Sequence, residues 1–239
     1  MLENLKLSNI LFLDIETVPL EKSFNDLPEK LQYHWERKSA RFREKEETAE
    51  DVFQRAGIYS EFGKIICISV GIIHYTGEEK SFRIKSFYGD DEKDLLTRFA
   101  ALVKQMEKND EVYLAAHNGK EFDFPYIARR MLVNSVKLPN VLDVPGKKPW
   151  EVKFIDTMEL WKFGDYKHFT SLDLLTHVFD IPTPKDDIDG SMVGKVYWED
   201  GDLERIVQYC EKDVLAVAQL LLRYRIEDII KPEAVESVK

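Results

Sequence analysis

The sequence has few cysteines and no long apolar run, and both absences exclude classes of protein. Only two of its 239 residues are cysteine, Cys67 and Cys210, and they lie far apart in apolar stretches. A disulfide framework is therefore not expected, and a reducing cytoplasm is the predicted compartment. No segment approaches the ~20 consecutive apolar residues that a membrane-spanning helix needs. The amino terminus has no basic segment followed by an apolar run, so no signal peptide is expected.

Several recurrent catalytic motifs are also absent. There is no G-x-x-x-x-G-K-[ST] sequence, which argues against a P-loop nucleotide hydrolase. The absence of G-x-S-x-G argues against the nucleophile elbow of many serine hydrolases. The five histidines lack paired zinc-ligand spacing and no C-x-x-C occurs, so zinc chemistry is not expected.

Positive charge is in short supply, since 34 basic residues stand against 44 acidic ones and give a formal net charge of -10. An acidic protein generally repels the phosphates of nucleic acid. One class of nucleic-acid protein escapes this exclusion, because metal-dependent nucleases use carboxylates to hold the cations that face the phosphate. Part of the acidity is therefore assigned to a metal site and the rest to solubility.

Short apolar runs alternate with helical patterns, and this order predicts an α/β fold built on a central mixed sheet. Strands are predicted at 9–16, 64–75, 81–88, 111–116 and 153–156, and helices at 90–107, 122–133, 171–179 and 202–229. Long loops are expected at 134–152 and 180–201. Residues 20–56 are rich in Glu, Lys and Arg, which predicts a charged helical insertion within one domain spanning 1–239.

The first acidic motif is Asp14-Ile15-Glu16, at the end of the first predicted strand. Side chains at positions i and i+2 of a strand point to the same face. Two carboxylates on one face of a buried strand repel each other and lose hydration unless a cation or a proton compensates. Carboxylate oxygens are the ligands that Mg²⁺ and Mn²⁺ prefer. The alternative is that the strand ends at Leu13 and both acids lie in a solvated loop.

Two further acidic motifs follow. Asp123 comes after a predicted strand and an Asn-Gly turn, where it has the alternative role of a helix N-cap ahead of Pro125. Tyr209 and Asp213 lie four residues apart and so share one face of the last predicted helix. Taken alone, each of these two motifs favours a structural role, which for the second is a tyrosine–aspartate hydrogen bond at the core boundary.

Taken together and in this order, the three motifs resemble the tyrosine subtype of the DEDD exonuclease superfamily. They are most similar to the proofreading exonuclease domain of B-family DNA polymerases, which carries an Asp-Ile-Glu strand, an asparagine turn followed by Phe-Asp, and a Tyr-Cys-x-x-Asp helix. Here these motifs read Asp14-Ile15-Glu16, Asn118 with Phe122-Asp123, and Tyr209-Cys210 with Asp213. Gln208 stands where a related subtype has histidine, five residues before the last aspartate, which supports the tyrosine assignment.

The resemblance covers about residues 9 to 225, and the sequence departs from the polymerase pattern in two ways. The chain ends soon after the third motif, which leaves no room for the polymerase palm, fingers and thumb. A free-standing relative of the proofreading domain is therefore expected. The charged insertion at 20–56 has no counterpart in the family that we can place. Two roles are left open for it, which are to cover the substrate groove or to bind a partner.

The resemblance implies an RNase H-like fold and a metal-dependent 3′→5′ exonuclease that releases nucleoside 5′-monophosphates. It implies two divalent cations, Mg²⁺ or Mn²⁺, which in such sites lie ~3.5–4 Å apart. In that scheme Asp14 bridges both ions, and Asp123 supports one of them. Glu16 and Asp213 complete the site of the ion that activates water. Tyr209 orients that water, since an unperturbed pKa near ~10 makes a phenol a poor general base at neutral pH.

The resemblance also implies a pocket for the terminal nucleotide beside these acids. Its expected substrate-binding residues flank the motifs and are Ile15, Thr17, Asn118 and Phe122. The loop 185–191 is expected near the same pocket, with a simple turn as its alternative role. Candidates for contacts to backbone phosphates are Arg129, Arg130, Lys147, Lys148, Lys167 and Lys185, each of which is alternatively an ordinary solvated charge.

The expected substrate is a DNA 3′ end, in single-stranded form. RNA is the alternative, because the tyrosine subtype also includes RNA-trimming enzymes and selection for a 2′-hydroxyl depends on pocket shape. A non-catalytic nucleic-acid-binding module is an alternative of another class. That alternative predicts erosion of the acids, whereas all four and the tyrosine are present. No membrane partner is expected, and a polymerase or helicase partner is left open.

Overall fold

The computed structural model describes residues 4–77, 79–165, 169–182 and 188–238. Its centre is a six-stranded sheet in the order β5-β4-β1-β2-β3-β6. The strands are β1 (Ile10–Pro19), β2 (Gly63–Thr76), β3 (Glu79–Tyr88), β4 (Tyr113–Ala116), β5 (Phe154–Asp156) and β6 (Val235–Ser237). The three strands β1, β2 and β3 pair antiparallel, whereas β4, β5 and β6 are each parallel to their neighbour. The predicted mixed sheet is therefore confirmed.

Helices lie around this sheet. They are α1 (Glu29–Ser39), α2 (Glu92–Asn109), α3 (Asp123–Val133), α4 (Thr157–Lys162), α5 (Leu172–Val178), α6 (Val193–Lys195) and α7 (Leu203–Tyr224). Two sequence predictions are wrong here. The expected loop at 180–201 contains α6 and a π-helical turn at Val196–Asp200. The last helix ends near Tyr224 rather than residue 229, and Ile226 beyond it adopts a left-handed conformation with φ of 59°. Within the described residues, no helix combines the length and apolar character needed to cross a membrane.

Strand β1 is buried on both faces, which explains its nearly continuous apolar sequence. Leu11, Leu13 and Ile15 pack in the cluster that also contains residues of α2 and α3. Ile10 and Phe12 point to the opposite face and pack in the cluster formed by α7. Because side chains alternate along a strand, the positions that follow Phe12 on its face, 14 and 16, are directed toward α7.

The segment 20–56 contains α1, short 3₁₀ turns at Phe24–Asp26 and Phe53–Ile58, and irregular turns between them. It has a small core of its own around Trp35, whose indole N–H donates to the carbonyl oxygen of Ala49 at 2.8 Å. The charged side chains noted in the sequence lie mostly at the exposed positions around this core. The second 3₁₀ turn contacts β1, so the segment ends against the strand that carries the first acidic motif.

A buried ion pair joins α2 to α3. Arg130 donates to both oxygens of the Glu92 carboxylate, at 2.9 Å from Nε and at 2.5 Å from a terminal nitrogen, and also to the carbonyl oxygen of Ser60. The same carboxylate accepts the backbone N–H of Ile65 and a side-chain N–H of Asn134. Both partners are at most 7% exposed. Both roles considered for Arg130, a contact to substrate phosphates and an ordinary solvated charge, are therefore wrong, because its side chain is buried and its donors are used inside the protein.

Candidate active site

Strand β1 places Asp14 and Glu16 on the face that meets α7. The strand continues to Pro19, so the alternative in which it ends at Leu13 is wrong. Glu16 is 7% exposed and Asp14 is half-buried. Their partners on β2 are Ser69 and Cys67, and the strand register shifts just after Glu16. This irregularity directly follows the acidic pair in β1. Bulges of this kind are often found beside functional sites.

Helix α3 begins at Asp123, and Phe122 rather than Asp123 occupies the N-cap position. The expected alternative role of Asp123 as an N-cap is therefore wrong. Its side chain is 3% exposed, and its carboxylate accepts the backbone N–H of Ile15. This hydrogen bond joins the start of α3 to the centre of β1 and brings the second acidic motif beside the first.

Helix α7 brings the third motif to the same place. The hydroxyl of Tyr209 donates to the Asp213 carboxylate, which is the tyrosine–aspartate hydrogen bond that the spacing predicts. Between them, Cys210 is fully buried, and its thiol lies 3.4 Å from both a carboxylate oxygen and the carbonyl oxygen of Asp14. The hydrogen bond between Tyr209 and Asp213 therefore lies beside the acids of β1. The structural role expected for this pair does not exclude a role in the site.

These acids are poorly compensated as charged groups. Burial raises the pKa of Asp14 well above its usual value, and the carboxylates of Glu16, Asp123 and Asp213 raise it further. Burial likewise raises the pKa of Glu16, with Cys67, Asp213 and Asp123 adding to the effect. Burial raises the pKa of Asp123 to about 7, despite the hydrogen bond from Ile15. Desolvated carboxylates that repel one another need a cation or bound protons.

A donor group for such a cation is present in the structure. Ligand atoms of Asp14, Glu16 and Cys210 all lie within 4.8 Å of one another, and no other group of this kind occurs in the part of the chain that the structure describes. This group could bind a metal ion. Asp123 and Asp213 are close enough to raise the pKa of both β1 acids, although they lie outside the three-residue group. The sequence motif contained Cys210, but sequence reasoning gave it no role.

Asp14, Glu16 and Asp213 line a groove of about 550 Å³, whereas Asp123 does not belong to its lining. This volume is within the range of roughly 300–1,000 Å³ typical of small-ligand sites. Three of the four expected substrate-binding residues, Ile15, Thr17 and Phe122, also line it, whereas Asn118 does not. Sequence reasoning expected two further contributions to the lining: the loop 185–191, and the insertion at 20–56 in one of the two roles left open for it. The rest of the lining consists of Pro19, Gln54, Arg55, Gly57, Ile58, Gly190, Ser191 and Gly194.

Asn118 holds the turn before α3 instead of facing the groove. It has a positive φ of 62°, and its backbone N–H donates to the Asp156 carboxylate at 3.0 Å. Lys120 donates its backbone N–H to the same carboxylate, which also caps α4. Asp156 is thus a buried acid that fixes the turn leading to Asp123. Its position in a short edge strand gave no signal of this role.

The described basic candidates for phosphate contacts lie outside the groove lining. Arg129 is exposed. Lys147 donates to the carbonyl oxygen of Asn140, and Lys148 lies over the Trp150 ring. Lys167 and Lys185 lie outside the described residues, so their assignments stay predictions.

Comparison with known proteins agrees with this geometry. Residues 58–236 match the sequence model of a family described as a predicted 3′-5′ exonuclease related to the exonuclease domain of PolB. The matched segment contains Asp123, Tyr209 and Asp213, and it begins after the β1 acids. Such exonuclease domains are RNase H-like and use divalent metals, which confirms the fold class expected from the motifs.

Curated relatives give weaker matches. The chain is 26% identical over 143 residues to a DNA polymerase of Desulfurococcus sp. (strain Tok), 30% over 142 residues to one of Thermococcus sp. (strain GE8), and 28% over 142 residues to DNA polymerase 1 of Pyrococcus abyssi. Each match covers 54% of this chain. It covers only 18%, 8% and 18% of the respective relative.

Proposed function

Because the chain belongs to the family of predicted 3′-5′ exonucleases related to the exonuclease domain of PolB, we propose that its acidic groove hydrolyses phosphodiester bonds at DNA 3′ ends. The products are nucleoside 5′-monophosphates. One observation carries the proposal: acids from three motifs far apart in sequence converge on one partly buried cluster, and the acids of the first and third motifs line a groove. The similarity to proteins named DNA polymerases supports DNA over RNA as the substrate.

The donor set fits hard divalent cations, since carboxylate oxygens are the ligands that Mg²⁺ and Mn²⁺ prefer. Asp14 and Glu16 would hold the ions together with Asp213 and Asp123, whose charges already act on them. When bound, a pair of such ions lowers the pKa of a bound water and stabilises the leaving oxygen. The protein contributes the contacts between β1, α3 and α7 that fix the acids.

The raised pKa of the Tyr209 phenol limits the roles that this residue can have in the reaction. Burial raises the pKa of its phenol above the usual ~10, and Asp213, Glu16 and Asp14 raise it further. Without bound cations the hydroxyl is therefore protonated at neutral pH, which makes it a poor acceptor for the proton of the attacking water. The hydroxyl hydrogen of Tyr209 makes the hydrogen bond to Asp213. The phenol oxygen can still orient the attacking water by accepting a hydrogen bond from it.

We expect Tyr209→Phe to lower kcat about tenfold to hundredfold, the effect of losing a hydrogen bond to a charged group. KM should change little, because the ring that lines the groove is kept. The pH–rate profile of the variant should parallel that of the wild type, since a protonated phenol contributes no limb. Tyr197→Phe is the matched control, as its hydroxyl donates to Asp90 outside the groove lining. If the rate of the wild type rose with pH through a pKa that is absent from the profile of Tyr209→Phe, Tyr209 would instead be assigned as the general base.

The proposed function is tested with single-stranded DNA and RNA of the same sequence, labelled at either the 3′ or the 5′ end. Each strand is incubated with the protein in Mg²⁺, Mn²⁺ or EDTA, and the products are resolved by length. Stepwise shortening of the 5′-labelled strand with metal, and none in EDTA, is the expected result. Internal cuts would contradict an exonuclease, and binding without cleavage would favour a nucleic-acid-binding module. The DNA-to-RNA rate ratio tests the substrate preference.

A further inference from the structure

The second 3₁₀ turn of the insertion forms one wall of the acidic groove. Gln54, Arg55, Gly57 and Ile58 line it together with the β1 acids and Asp213. Among the described residues, Arg55 is the one basic side chain in that lining. We propose that Arg55 binds a substrate backbone phosphate other than the one being hydrolysed, which makes the insertion a strand-positioning part of the active site. The proposal rests on the proposed nuclease function and specifies how that site recognises its strand.

The position of this wall relative to the acids is fixed by close packing. Gly57 lies against β1 so tightly that an added Cβ would be 3.2 Å from backbone atoms of Val18. Its carbonyl oxygen accepts the hydroxyl of Tyr126, a buried residue of α3, at 2.8 Å. Phe53 and Ala56, on either side of Arg55, are buried in the core of the insertion. Arg55 is thus carried on a turn anchored to the same strand as Asp14 and to the helix that Asp123 begins.

Arg55 is exposed, and an aromatic ring orients it. The carbon of its guanidinium lies 4.5 Å from the centroid of the Phe42 ring, which belongs to the same insertion. Such an arrangement is worth about 0.5–1 kcal/mol at exposed sites and restricts the rotamers of a long side chain. A guanidinium over an aromatic face can still donate from its N–H edges, whose fork geometry matches phosphate oxygens.

The positive charge of Arg55 offsets the repulsion between the substrate strand and an acidic protein. A strand whose terminal phosphate lies at the metal-binding acids must place its next phosphates beside a protein of formal net charge -10. Those phosphates are repelled by carboxylates that no metal ion neutralises. A single cation at the groove wall therefore has a large effect on how the strand enters. Because Arg55 contacts a phosphate other than the one being hydrolysed, it also favours a strand with several phosphates over a lone nucleotide.

The test compares wild type, Arg55→Ala and Arg55→Lys on short single-stranded DNA in Mn²⁺, with Arg41→Ala as the matched control. Arg41 is an exposed arginine of the same insertion that does not line the groove. Arg55→Ala should lower kcat/KM about tenfold to hundredfold, mainly through KM. It should also reduce the slope of log KM against log salt by about 0.7, the value for one phosphate contact on a single strand. Lysine should restore part of the loss, and Arg41→Ala should behave as wild type.

A second set of strands identifies the phosphate. Each strand carries one uncharged methylphosphonate at the second, third or fourth linkage from the 3′ end. At one of these positions the wild type should lose the same factor in kcat/KM that Arg55→Ala costs, while Arg55→Ala itself should lose nothing further. The proposal is overturned if Arg55→Ala cleaves as wild type does, or if it loses as much as wild type at every position.

Failure of the proposed function would look different. A wild type that binds these strands without cleaving them would contradict the nuclease assignment. Fluorescence anisotropy with the same strands and variants would then measure the Arg55 contact directly, with weaker binding by Arg55→Ala in support and equal binding against. A folded wild type that neither binds nor cleaves would overturn both proposals.

Discussion

Replacing Asp14 with asparagine is expected to lower the rate of nucleotide release by on the order of 10³- to 10⁴-fold, the effect of removing several kcal/mol of metal-ion stabilisation. In EDTA the same substitution is expected to raise the melting temperature. The two effects have one cause. Burial and then the neighbouring carboxylates raise the pKa of Asp14, so its charge is useful for binding a cation and unfavourable without one.

The pH dependence of stability checks this explanation. Each β1 acid and Asp123 has a higher pKa in the folded than in the unfolded chain, so the folded protein binds more protons. Stability from these groups is therefore present below the unfolded pKa of ~4 and is lost as the pH rises through the folded pKa. For Asp123 that loss runs to about pH 7. The melting temperature in EDTA should thus fall over this range, more steeply for wild type than for Asp14→Asn.

Differential scanning calorimetry in EDTA and in Mn²⁺ measures these slopes. Each kcal/mol of relieved repulsion should raise the melting temperature by about 2–4 °C for a chain of this size. Mn²⁺ should stabilise the wild type and have a smaller effect on Asp14→Asn. Asp143→Asn, at an exposed position outside the groove, is the control. An active Asp14→Asn protein, or one less stable than wild type in EDTA, would contradict the assignment of these acids.

The second large effect concerns stability alone. Arg130→Met is expected to lower the free energy of unfolding by about 3–5 kcal/mol, because it leaves the buried Glu92 carboxylate without its cation. The corresponding decrease in melting temperature is about 6–20 °C. Arg129→Met, at the exposed neighbouring position, should change the free energy of unfolding by less than about 0.5 kcal/mol. Urea unfolding of both variants measures the difference.

A double variant separates the loss of charge balance from the loss of packing. In Glu92→Gln/Arg130→Met the uncompensated charge is gone, and the glutamine oxygen can still accept the backbone N–H of Ile65 that Glu92 accepts. We expect this protein to recover a large part of the lost stability. Equal destabilisation of the single and double variants would show that the packing of the arginine stem, and not charge, is the cause.

The acids of the proposed site could be picked out from the sequence because each lies in a short local pattern. Asp14 and Glu16 share a face of a strand, and Tyr209 and Asp213 share a face of a helix, so spacing alone related the members of each pair. Bringing the pairs together required a resemblance to a known family, since no local pattern relates β1 to α7. The strands β2 and β3 and the helix α2 were predicted within a few residues, because their periodicity is long and regular.

The failures have a common physical origin in contacts between residues far apart in sequence. Arg130 looked like a surface cation because its partner Glu92 is 38 residues away. Residues 193–200 looked like a loop because their Gly, Trp and acidic residues have no helical periodicity. Yet Val193 and Val196 pack in one cluster with Ile206 of α7. Asp156 gave no signal at all, since its role depends on the backbone N–H groups of a turn that begins at Asn118.

Strand β1 is buried on both faces, whereas the turn that carries Arg55 presents exposed side chains to the groove. The strand pairs with neighbours on both edges, so its amides should exchange with solvent only through the most extensive opening of the molecule. The turn that carries Arg55 belongs to a segment with its own small core. Its exposed side chains, Gln54, Arg55 and Ile58, can be replaced without changing the packing of Gly57 against β1. Protein engineering can therefore change the side chains proposed to contact the strand while the acids proposed to hold the metal ions stay in place.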